Sequence, residues 1–415
     1  MTEQTIHSSL ETYLVGGAVR DQLLSRDIVE RDYVVVGSTV EQMLALGFTQ
    51  VGKDFPVFLH PKTKEEYALA RTEKKQGQGY TGFVCHASPD ISLEQDLLRR
   101  DLTVNAMALS NTGELIDPFN GQQDLIDRIL RHVSPAFEED PLRVLRVARF
   151  AARYHYLGFI VAEETLQLMT QISKSGELST ISAERIWQEM AKSLSESNPE
   201  VFFKVLHTSG ALQAIWPELD ALWGMFPPVE QQTEIYSGIH TMQVLQRSVK
   251  LSPKLSVRFA ALCHDLAKRR TSTESLDTLQ GCEPGGLTSI ERACDVLKVP
   301  NKIKSLALKV YQFRSQCHQA LGLDPQSILK LFDRLDVWRK PEEFNDFLLA
   351  CQAAAAGRLG FEEASYPQAD YLTELYTLCL AVSPKVFVEQ GLKGFEIKQA
   401  MQNEKLAIIR DNLKS

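Results

Sequence analysis

No uninterrupted apolar run in this chain of 415 residues approaches the roughly 20 residues that a membrane-spanning helix needs. The first residues, MTEQTIHSSLET, lack the basic and then apolar pattern of a secretory signal peptide. Cysteine occurs seven times, an odd number, and never with C-x-x-C spacing. These absences argue against a membrane protein, a disulfide scaffold and a zinc ribbon. They predict a cytoplasmic protein with reduced thiols.

An excess of positive charge is also missing, because 45 Lys and Arg face 53 Asp and Glu, a formal net charge of −8. Proteins that coat nucleic acid without sequence preference are usually basic. The closing residues KLAIIRDNLKS are not a basic tail either. An RNA partner would therefore have to bind a local basic surface.

The spacing of apolar residues along the chain changes near residue 136. Before it, strand-like and helix-like patterns alternate, which predicts a mixed sheet with helices on one side and strands at 33–36, 48–51, 57–60, 67–71 and 106–109. After Asp140, apolar residues recur at helical spacing, as in 141–154, 199–208 and 325–335. The predicted fold class is α+β, a mixed-sheet head followed by an all-α remainder. The predicted domains are residues 1–136, 137–236, 237–340 and 341–415.

The most informative stretch is LVGGAVRDQLLSRDIVERDYVVVG, residues 14–37. An apolar run predicts a strand, and Gly16-Gly17 then let bare backbone approach a ligand. The helical segment 18–24 carries Arg20, so backbone N–H groups and a guanidinium predict an anion site that fits a triphosphate. A second strand is predicted over 30–36, where alternation projects Glu30 and Asp32 from one face. Two carboxylates beside a phosphate site suit divalent-metal phosphoryl chemistry.

Two further stretches mix arginine and aspartate. In EQDLLRRDLTVNA, residues 94–106, Arg99 and Arg100 offer forked donors for phosphate, and we expect Asp96 and Asp101 to orient them. A salt-bridged helix end is the structural alternative. In EDPLRVLRVARF, residues 139–150, Asp140 before a proline is a good helix start, and the helix carries a stripe of arginines at 143, 146, 149 and 153.

Together these stretches resemble the class II tRNA nucleotidyltransferases, to which bacterial poly(A) polymerases are related. Residues 96–106 resemble the family motif D-x-x-R-R-D-[FL]-T-[IV]-N-A, and residues 139–143 resemble its E-D-x-x-R motif. The resemblance is strongest over residues 13–154 and is closest to the proteobacterial CCA-adding enzymes. It implies a polymerase-β-like nucleotidyltransferase head on a helical neck, body and tail. The implied reaction is transfer of CMP, CMP and then AMP from CTP and ATP to a tRNA 3′ end.

The resemblance also implies a role for each candidate site residue. Two Mg²⁺ ions would be held by Glu30 and Asp32, and the triphosphate would be bound by Gly17, Arg20 and Arg100. The edge of the incoming base would be read by Asp140 and Arg143, with further nucleotide contacts from Arg146 and Arg149. An acidic residue on a neighbouring strand, by position Glu66, would accompany the metal pair. The glycine-rich segment 74–82 matches a loop that the family associates with switching from C to A addition.

The helical part holds a second pattern, His240 followed later by His264-Asp265. A histidine and then a His-Asp pair on helices resembles the opening of an HD-type metal phosphohydrolase site. Such a site needs further histidines, but residues 266–317 contain none and only His318 follows. We therefore expect an HD-like domain with an incomplete metal centre, in which the three residues persist as a packed polar network.

Three other functions remain open from the sequence. A poly(A) polymerase would share the head, although we expect a basic tail in such an enzyme. A CC-only or A-only enzyme is a second alternative, and the segment 74–82 argues mildly against the CC-only form. From a different class, a catalytically impaired RNA-binding paralogue would also fit, with Glu30 and the incomplete HD pattern as early losses.

The position of Glu30 yields a prediction, because the family's first metal-binding carboxylate is an aspartate. One additional methylene moves a ligand oxygen by about 1 Å, and Mg²⁺ tolerates poor octahedral geometry badly. We predict that Glu30→Asp adds nucleotides faster than the wild type in Mg²⁺, with a smaller difference in Mn²⁺. Single-turnover primer extension in each metal measures this, and a variant no faster in Mg²⁺ contradicts it.

Overall fold

The computed structural model describes residues 10–51, 56–75, 83–224, 237–266 and 284–413. The chain divides into two compact units, Met1–Ser193 with Val201–Ile215, and Leu194–Glu200 with Trp216–Ser415. The first unit contains a mixed sheet, and the described part of the second is helical, which confirms the α+β class. The division into four domains stays a prediction.

The described strands, β1 to β11, all lie in the first unit. They are Glu11–Val15, Asp32–Val36, Thr49–Val51, Val57–Leu59, Glu66–Leu69, Arg71–Lys75, Phe83–Ala87, Ala108–Ser110, Leu115–Ile116, Ile129–Leu130 and Ile160–Val161. Seven form one sheet in the order β3-β4-β5-β2-β1-β8-β9, while β6 pairs with β7 and β10 with β11. Because β2 is antiparallel to β1 and parallel to β5, the large sheet is mixed.

The register of this sheet brings distant segments to one edge. The end of β1 lies opposite the start of β2, with Val15 paired to Asp32. Asp32 also pairs with Glu66 at the start of β5, and Val15 with Ala108 at the start of β8. The turns before and after these strands therefore meet at the same edge of the sheet.

Both faces of the sheet are covered. Successive strand residues point to opposite faces. Val35 packs in a core cluster with Met43, whereas its neighbour Val34 packs in a second cluster with Leu97. Met43 and Leu97 belong to different helices. The prediction of helices on one side only was therefore wrong, and the near-continuous valine run of β2 reflects burial on both faces.

Other predicted boundaries also differ from the structure, and the strand predicted over 106–109 begins at Ala108. The strand predicted over 30–36 begins at Asp32, so Glu30 lies in the segment that precedes β2. The strand predicted over 67–71 is two strands, because β6 leaves the large sheet and pairs with β7. The helices predicted over 199–208 and 325–335 are confirmed.

The described helices that begin before residue 216 are α1 to α9: Gly17–Leu23, Val40–Ala45, Leu93–Leu98, Gly121–Asp127, Leu142–Tyr154, Glu163–Ser175, Ala183–Leu194, Pro199–Thr208 and Ala211–Ile215. Capping boxes start α2 and α3, where Thr39 and Ser92 exchange hydrogen bonds with the Gln three residues later. In α5, eleven of the 13 residues are buried. This helix is therefore an internal support of the first unit.

The second unit contains α10 to α19: Pro217–Asp220, Ser237–Leu251, Leu255–Cys263, Pro284–Val296, Asn301–His318, Pro325–Leu335, Pro341–Ala356, Pro367–Leu380, Pro384–Glu389 and Phe395–Asp411. Helices α11, α14 and α16 pack around α12, whose residues from Val257 to Cys263 are all buried. No helix in the described ranges has the length and apolar character to cross a membrane.

A turn that begins at Asp117 supports the edge of the sheet at which these strand ends meet. Asp117 accepts hydrogen bonds from the backbone N–H groups of Gly121 and Gln122 at 2.7 and 2.8 Å. A Cβ at Gly121 would lie 2.3 Å from the carbonyl oxygen of Thr103. The segment Thr103–Asn105, which leads into β8, is thus held by a position that only glycine fits.

We predict that Gly121→Ala lowers the free energy of unfolding by about 2–3 kcal/mol, because the backbone at Thr103 must move to admit a methyl group. Gly322→Ala is the control, since a Cβ there meets nothing within 4 Å. Its effect should stay within about 0.5 kcal/mol. Urea denaturation measures both variants, and equal losses in the two would contradict the steric argument.

Candidate active site

The Gly16-Gly17 turn between β1 and α1 is flanked by two guanidinium groups. Gly16 has a φ of 69°, and a Cβ on it would lie 3.0 Å from Nη1 of Arg100. A Cβ on Gly17 would lie 3.3 Å from Nη2 of Arg20. The two glycines therefore leave the space in which both arginines approach the first turn of α1, as an anion site requires.

Arg20 is held by partners that the sequence analysis missed. Its guanidinium donates to both carboxylate oxygens of Asp21 at 3.0 and 3.1 Å and to Oδ1 of Asn105 at 2.5 Å. It also lies 4.9 Å from the ring centroid of Tyr154, whose hydroxyl donates to Asp21. The pKa of Tyr154 is raised to about 12, and burial is the largest cause. Only 4% of Arg20 is exposed, so its orientation is set before any ligand binds.

Carboxylates gather at the same edge. Glu30, Asp32 and Glu66 line one cleft, and sheet register places Asp32 beside Glu66. Desolvation raises the pKa of Asp32 and the charge of Glu30 raises it further, while Arg100 opposes both. Asp32 is therefore close enough to Glu30 and Arg100 to sense both charges.

The Asp96–Asn105 motif forms an ion-pair network. Buried Asp96 accepts from Nη2 of Arg99 at 2.6 Å and from Nη2 of Arg100 at 3.1 Å, which confirms its predicted partners. Asp101, which was expected to orient the same arginines, accepts from Nε of Arg146 at 2.8 Å and lies 2.7 Å from its Nη2. Its hydrogen-bonding partner therefore comes from another element, α5, while its charge also acts on Arg100.

The arginines of α5 are each engaged. Arg143 is buried and donates to the carbonyl oxygens of Ala136 and Arg99, both at 2.5 Å. Arg149 is also buried and donates to Glu189 at 2.5 Å, with its guanidinium 4.4 Å from the ring centroid of Phe150. The arginine stripe of α5 is therefore packed against neighbouring groups and is not a solvated helix face.

Asp140 is oriented from two sides. Its Oδ1 accepts from the backbone N–H of Leu142 at 3.1 Å, and α5 begins at Leu142, one residue after the predicted start at Pro141. Its Oδ2 accepts from Nη2 of Arg185 at 2.9 Å. Arg185, Glu189 and Lys192 were not singled out from the sequence, although their spacing places them on one face of α7.

All nine predicted site residues line a single cleft of about 780 Å³, a volume in the range of small-molecule sites. Its acidic residues are Asp21, Glu30, Asp32, Glu66, Asp101 and Asp140. Its basic residues are Arg20, Arg71, Arg99, Arg100, Arg143, Arg146, Arg149, Arg153, Arg185 and Lys192. Ten cations and six acids line the cleft, and Asp96 and Glu189 pair with three of its arginines from outside the lining, so an excess of two positive charges remains. A chain of net charge −8 thus concentrates positive potential where a polyphosphate would bind.

The carboxylate end of this cleft fits a divalent cation. Its donors are all oxygen atoms, the type that hard cations select. Glu30, Asp32 and Glu66 bring three carboxylates to this end of the cleft, whose negative charge a cation would neutralise. The loop predicted over 74–82 lies largely outside the described residues, which omit 76–82.

The Asp101–Arg146 pair yields a pH-dependent prediction. Burial alone raises the pKa of Asp101, but Arg146 and Asn105 outweigh it and hold that pKa below its usual range. Because the folded pKa is lowered, the stabilisation is complete above the unfolded value of about 3.9 and is lost as the pH falls through the folded value.

We therefore predict that Asp101→Asn costs about 1–3 kcal/mol of unfolding free energy, constant from about pH 5 to pH 8 and shrinking in more acidic solution. Urea denaturation as a function of pH measures it. Asp90→Asn, at an exposed position, is the control. A deficit that grows on acidification would contradict the assignment.

Comparisons with known proteins agree with this architecture. Residues 12–131 match the family described as the Poly A polymerase head domain. Residues 158–222 match the family described as the probable RNA and SrmB-binding site of polymerase A. Both matches lie within the part of the chain that forms the cleft and the helices after it.

Solved structures share the fold at low identity. The Thermotoga maritima CCA-adding enzyme complexed with tRNA_CCA superposes with a TM-score of 0.64 at 17% identity, covering 99% of this chain and 90% of that one. A CCA-adding enzyme complexed with ATP gives 0.63 at 19%, covering 97% and 86%. One complexed with CTP gives 0.63 at 20%, covering 99% and 93%. The shared fold is a nucleotidyltransferase head with a helical body.

Curated relatives match over nearly the whole chain. The Multifunctional CCA protein of Pseudoalteromonas atlantica is 56% identical over 404 residues, 97% of this chain and 100% of that protein. The Multifunctional CCA protein of Tolumonas auensis is 53% identical over 402 residues, 97% and 98% of the two chains. The predicted resemblance is thereby confirmed, and the chain belongs to the family of the multifunctional CCA proteins.

Proposed function

We propose that this protein builds and repairs the CCA end of tRNA without a template, by transferring CMP, CMP and AMP from CTP and ATP. The observation that carries the proposal is the cleft. It is lined by three carboxylates, by the Gly16-Gly17 turn with its arginines, and by both Asp140 and Arg143. Relatives of more than 50% identity are named for CCA, and CCA-adding enzymes of the same fold are known with tRNA, ATP and CTP.

The triphosphate would bind at the Gly16-Gly17 turn. Gly17 offers its backbone N–H at the start of α1, and Arg20 and Arg100 offer guanidinium donors from either side. Arg100 is tied to Asp96 and Arg20 to Asp21, so neither side chain has to be ordered when the nucleotide arrives. Such preorganisation lowers the entropic cost of binding.

The divalent cation would be Mg²⁺, held by Glu30 and Asp32 with Glu66 beside them. Mg²⁺ prefers carboxylate and phosphate oxygens and supplies charge neutralisation of the triphosphate and activation of an attacking hydroxyl. Arg100 influences the protonation of Asp32, which supports a cation site next to the triphosphate site. Nucleotide and cation would therefore bind as one unit.

The base would be chosen by Asp140 and Arg143. Cytosine and adenine both present an amine donor beside a ring-nitrogen acceptor, a pattern that a carboxylate acceptor and a guanidinium donor complement. Uracil and guanine present the reverse pattern. Arg185 donates to the Asp140 carboxylate and keeps it in place. Arg146 donates to Asp101 and Arg149 to Glu189, and both arginines line the same cleft.

The RNA partner would be tRNA, gripped by backbone and shape rather than by a base code. The positive cleft would receive its 3′ end, while the acidic balance of the chain lies elsewhere. We place the reaction in the cytoplasm. Five cysteines of the described chain are free and buried, as in proteins of reducing compartments.

The test uses three tRNA transcripts, one lacking CCA, one ending in CC and one complete, with CTP, ATP or both and Mg²⁺. Products are read at single-nucleotide resolution. We expect three additions to the first transcript, one to the second and none to the third. Long A-tails would assign a poly(A) polymerase, and a stop after CC or addition of A alone would assign a partial activity.

Asp32→Asn tests the carboxylate site in the same assay. We predict a loss of about 1,000-fold in rate, which corresponds to about 4 kcal/mol of transition-state stabilisation, with tRNA binding retained. Asp90→Asn is the matched control for removal of one carboxylate. Full activity of Asp32→Asn would overturn the site, and inactivity of the wild type with intact tRNA binding would support an impaired paralogue.

A further inference from the structure

Three predicted metal-ligand residues come together in the second unit, far along the chain from the cleft residues. His240 lies on α11, and His264 and Asp265 follow α12. One ligand atom from each lies within 4.8 Å of the others, and all three residues are buried. The expectation of a packed polar network therefore describes their position well.

The two histidines are held as metal-binding histidines usually are. Nδ1 of His240 lies 3.2 Å from the carbonyl oxygen of Gly357, and Nδ1 of His264 lies 2.7 Å from that of Ala261. Because a carbonyl can only accept, each Nδ1 carries the proton in the neutral ring and each Nε2 carries the lone pair. Nε2 of His264 lies 3.4 Å from Oδ2 of Asp265. Two imidazole nitrogens and a carboxylate form a donor set for a transition metal.

A cation of the chain itself already reaches this cluster. Nη2 of Arg314, on α14, forms an ion pair with Oδ1 of Asp265 at 2.8 Å, and its Nη1 donates to the carbonyl oxygen of His264 at 2.6 Å. The Asp265 side chain is 2% exposed, so the pair is screened little by water. A divalent ion bound to Asp265 would meet the guanidinium charge at close range.

The next histidine along α14 does not complete a metal shell. His318 lies one helical turn after Arg314, but its Nδ1 is 2.8 Å from the hydroxyl of Tyr366. Burial and the charges of Arg314 and Arg358 lower the pKa of His318 to about 4. It is not among the three residues whose ligand atoms converge. The surroundings of the cluster are thus already positive.

We propose that the guanidinium of Arg314 is the built-in cation of this cluster and takes the place of a divalent metal. The cluster then acts as a fixed link between α12 and α14 and takes up no metal ion. In this chain the HD-like domain would support the fold without a metal-dependent hydrolytic activity, although its relatives are called multifunctional. The proposal does not rest on the nucleotidyltransferase function, because it concerns other residues and another unit.

The experiment uses the full chain and Co²⁺ as the probe, read by visible absorption and by melting temperature. Histidine-bound Co²⁺ of low coordination number absorbs strongly, whereas Co²⁺ at the oxygen ligands of the cleft absorbs weakly. We expect the wild type and His264→Ala to show the same weak spectrum. The melting temperature of the wild type should respond to Co²⁺ no more than that of His264→Ala does.

The variants Arg314→Gln and Arg314→Ala remove the cation without adding a ligand. We expect each to melt lower than the wild type in EDTA, to gain a strong Co²⁺ band and to regain several degrees with Co²⁺. The band should vanish when His264→Ala is added. Arg314→Lys keeps a positive charge and should show no strong band, and Arg334→Ala, on α15, should behave as the wild type.

Two outcomes would overturn the proposal. A strong Co²⁺ band in the wild type that His264→Ala removes would show that the cluster binds metal despite Arg314. Absence of the band in both neutral variants, with nucleotide addition or circular dichroism proving that they fold, would show that Arg314 does not occupy a metal position. If neither variant folds, the wild-type comparison with His264→Ala still decides the first outcome.

Discussion

The pairing of Asp32 with Val15 on one side and Glu66 on the other is the constraint on which the cleft depends. It places the Gly16-Gly17 turn, the carboxylates and the turn before β8 at one edge of the sheet. A shift of one residue in this register would take Asp32 away from Glu66 and move Val34 and Val35, both buried, each to the opposite face and out of its own core cluster. Burial on both faces therefore protects the geometry of the site.

Charge compensation organises what the register brings together. Asp96, Asp101, Asp140 and Glu189 each accept from at least one arginine of the cleft wall, so the cations are oriented by the protein itself. The excess of cations over acids remains available to a polyphosphate. The same residues thus stabilise the first unit and prepare it for a nucleotide, which is electrostatic preorganisation.

In the second unit, the guanidinium–carboxylate pair of Arg314 and Asp265 has a different role. In the cleft, arginines outnumber acids and the space between them is large enough for a ligand. In the His240–His264–Asp265 cluster, ligand atoms converge within 4.8 Å and Arg314 supplies the countercharge. An enclosed and balanced pair stabilises packing, whereas an open and unbalanced wall attracts a substrate.

The sequence alone determined the α+β class and the family, and its nine predicted site residues all line the cleft, because each motif is contiguous and its chemistry depends on short spacings. It did not identify Arg185, Glu189, Tyr154 or Arg314, which touch the motifs across 40 residues or more. It also missed the hydrogen-bonding partner of Asp101 and misplaced the first residue of β2. Only the tertiary structure decided these points, because packing between elements distant in sequence selects which arginine meets which acid, and local propensity carries no information about that choice.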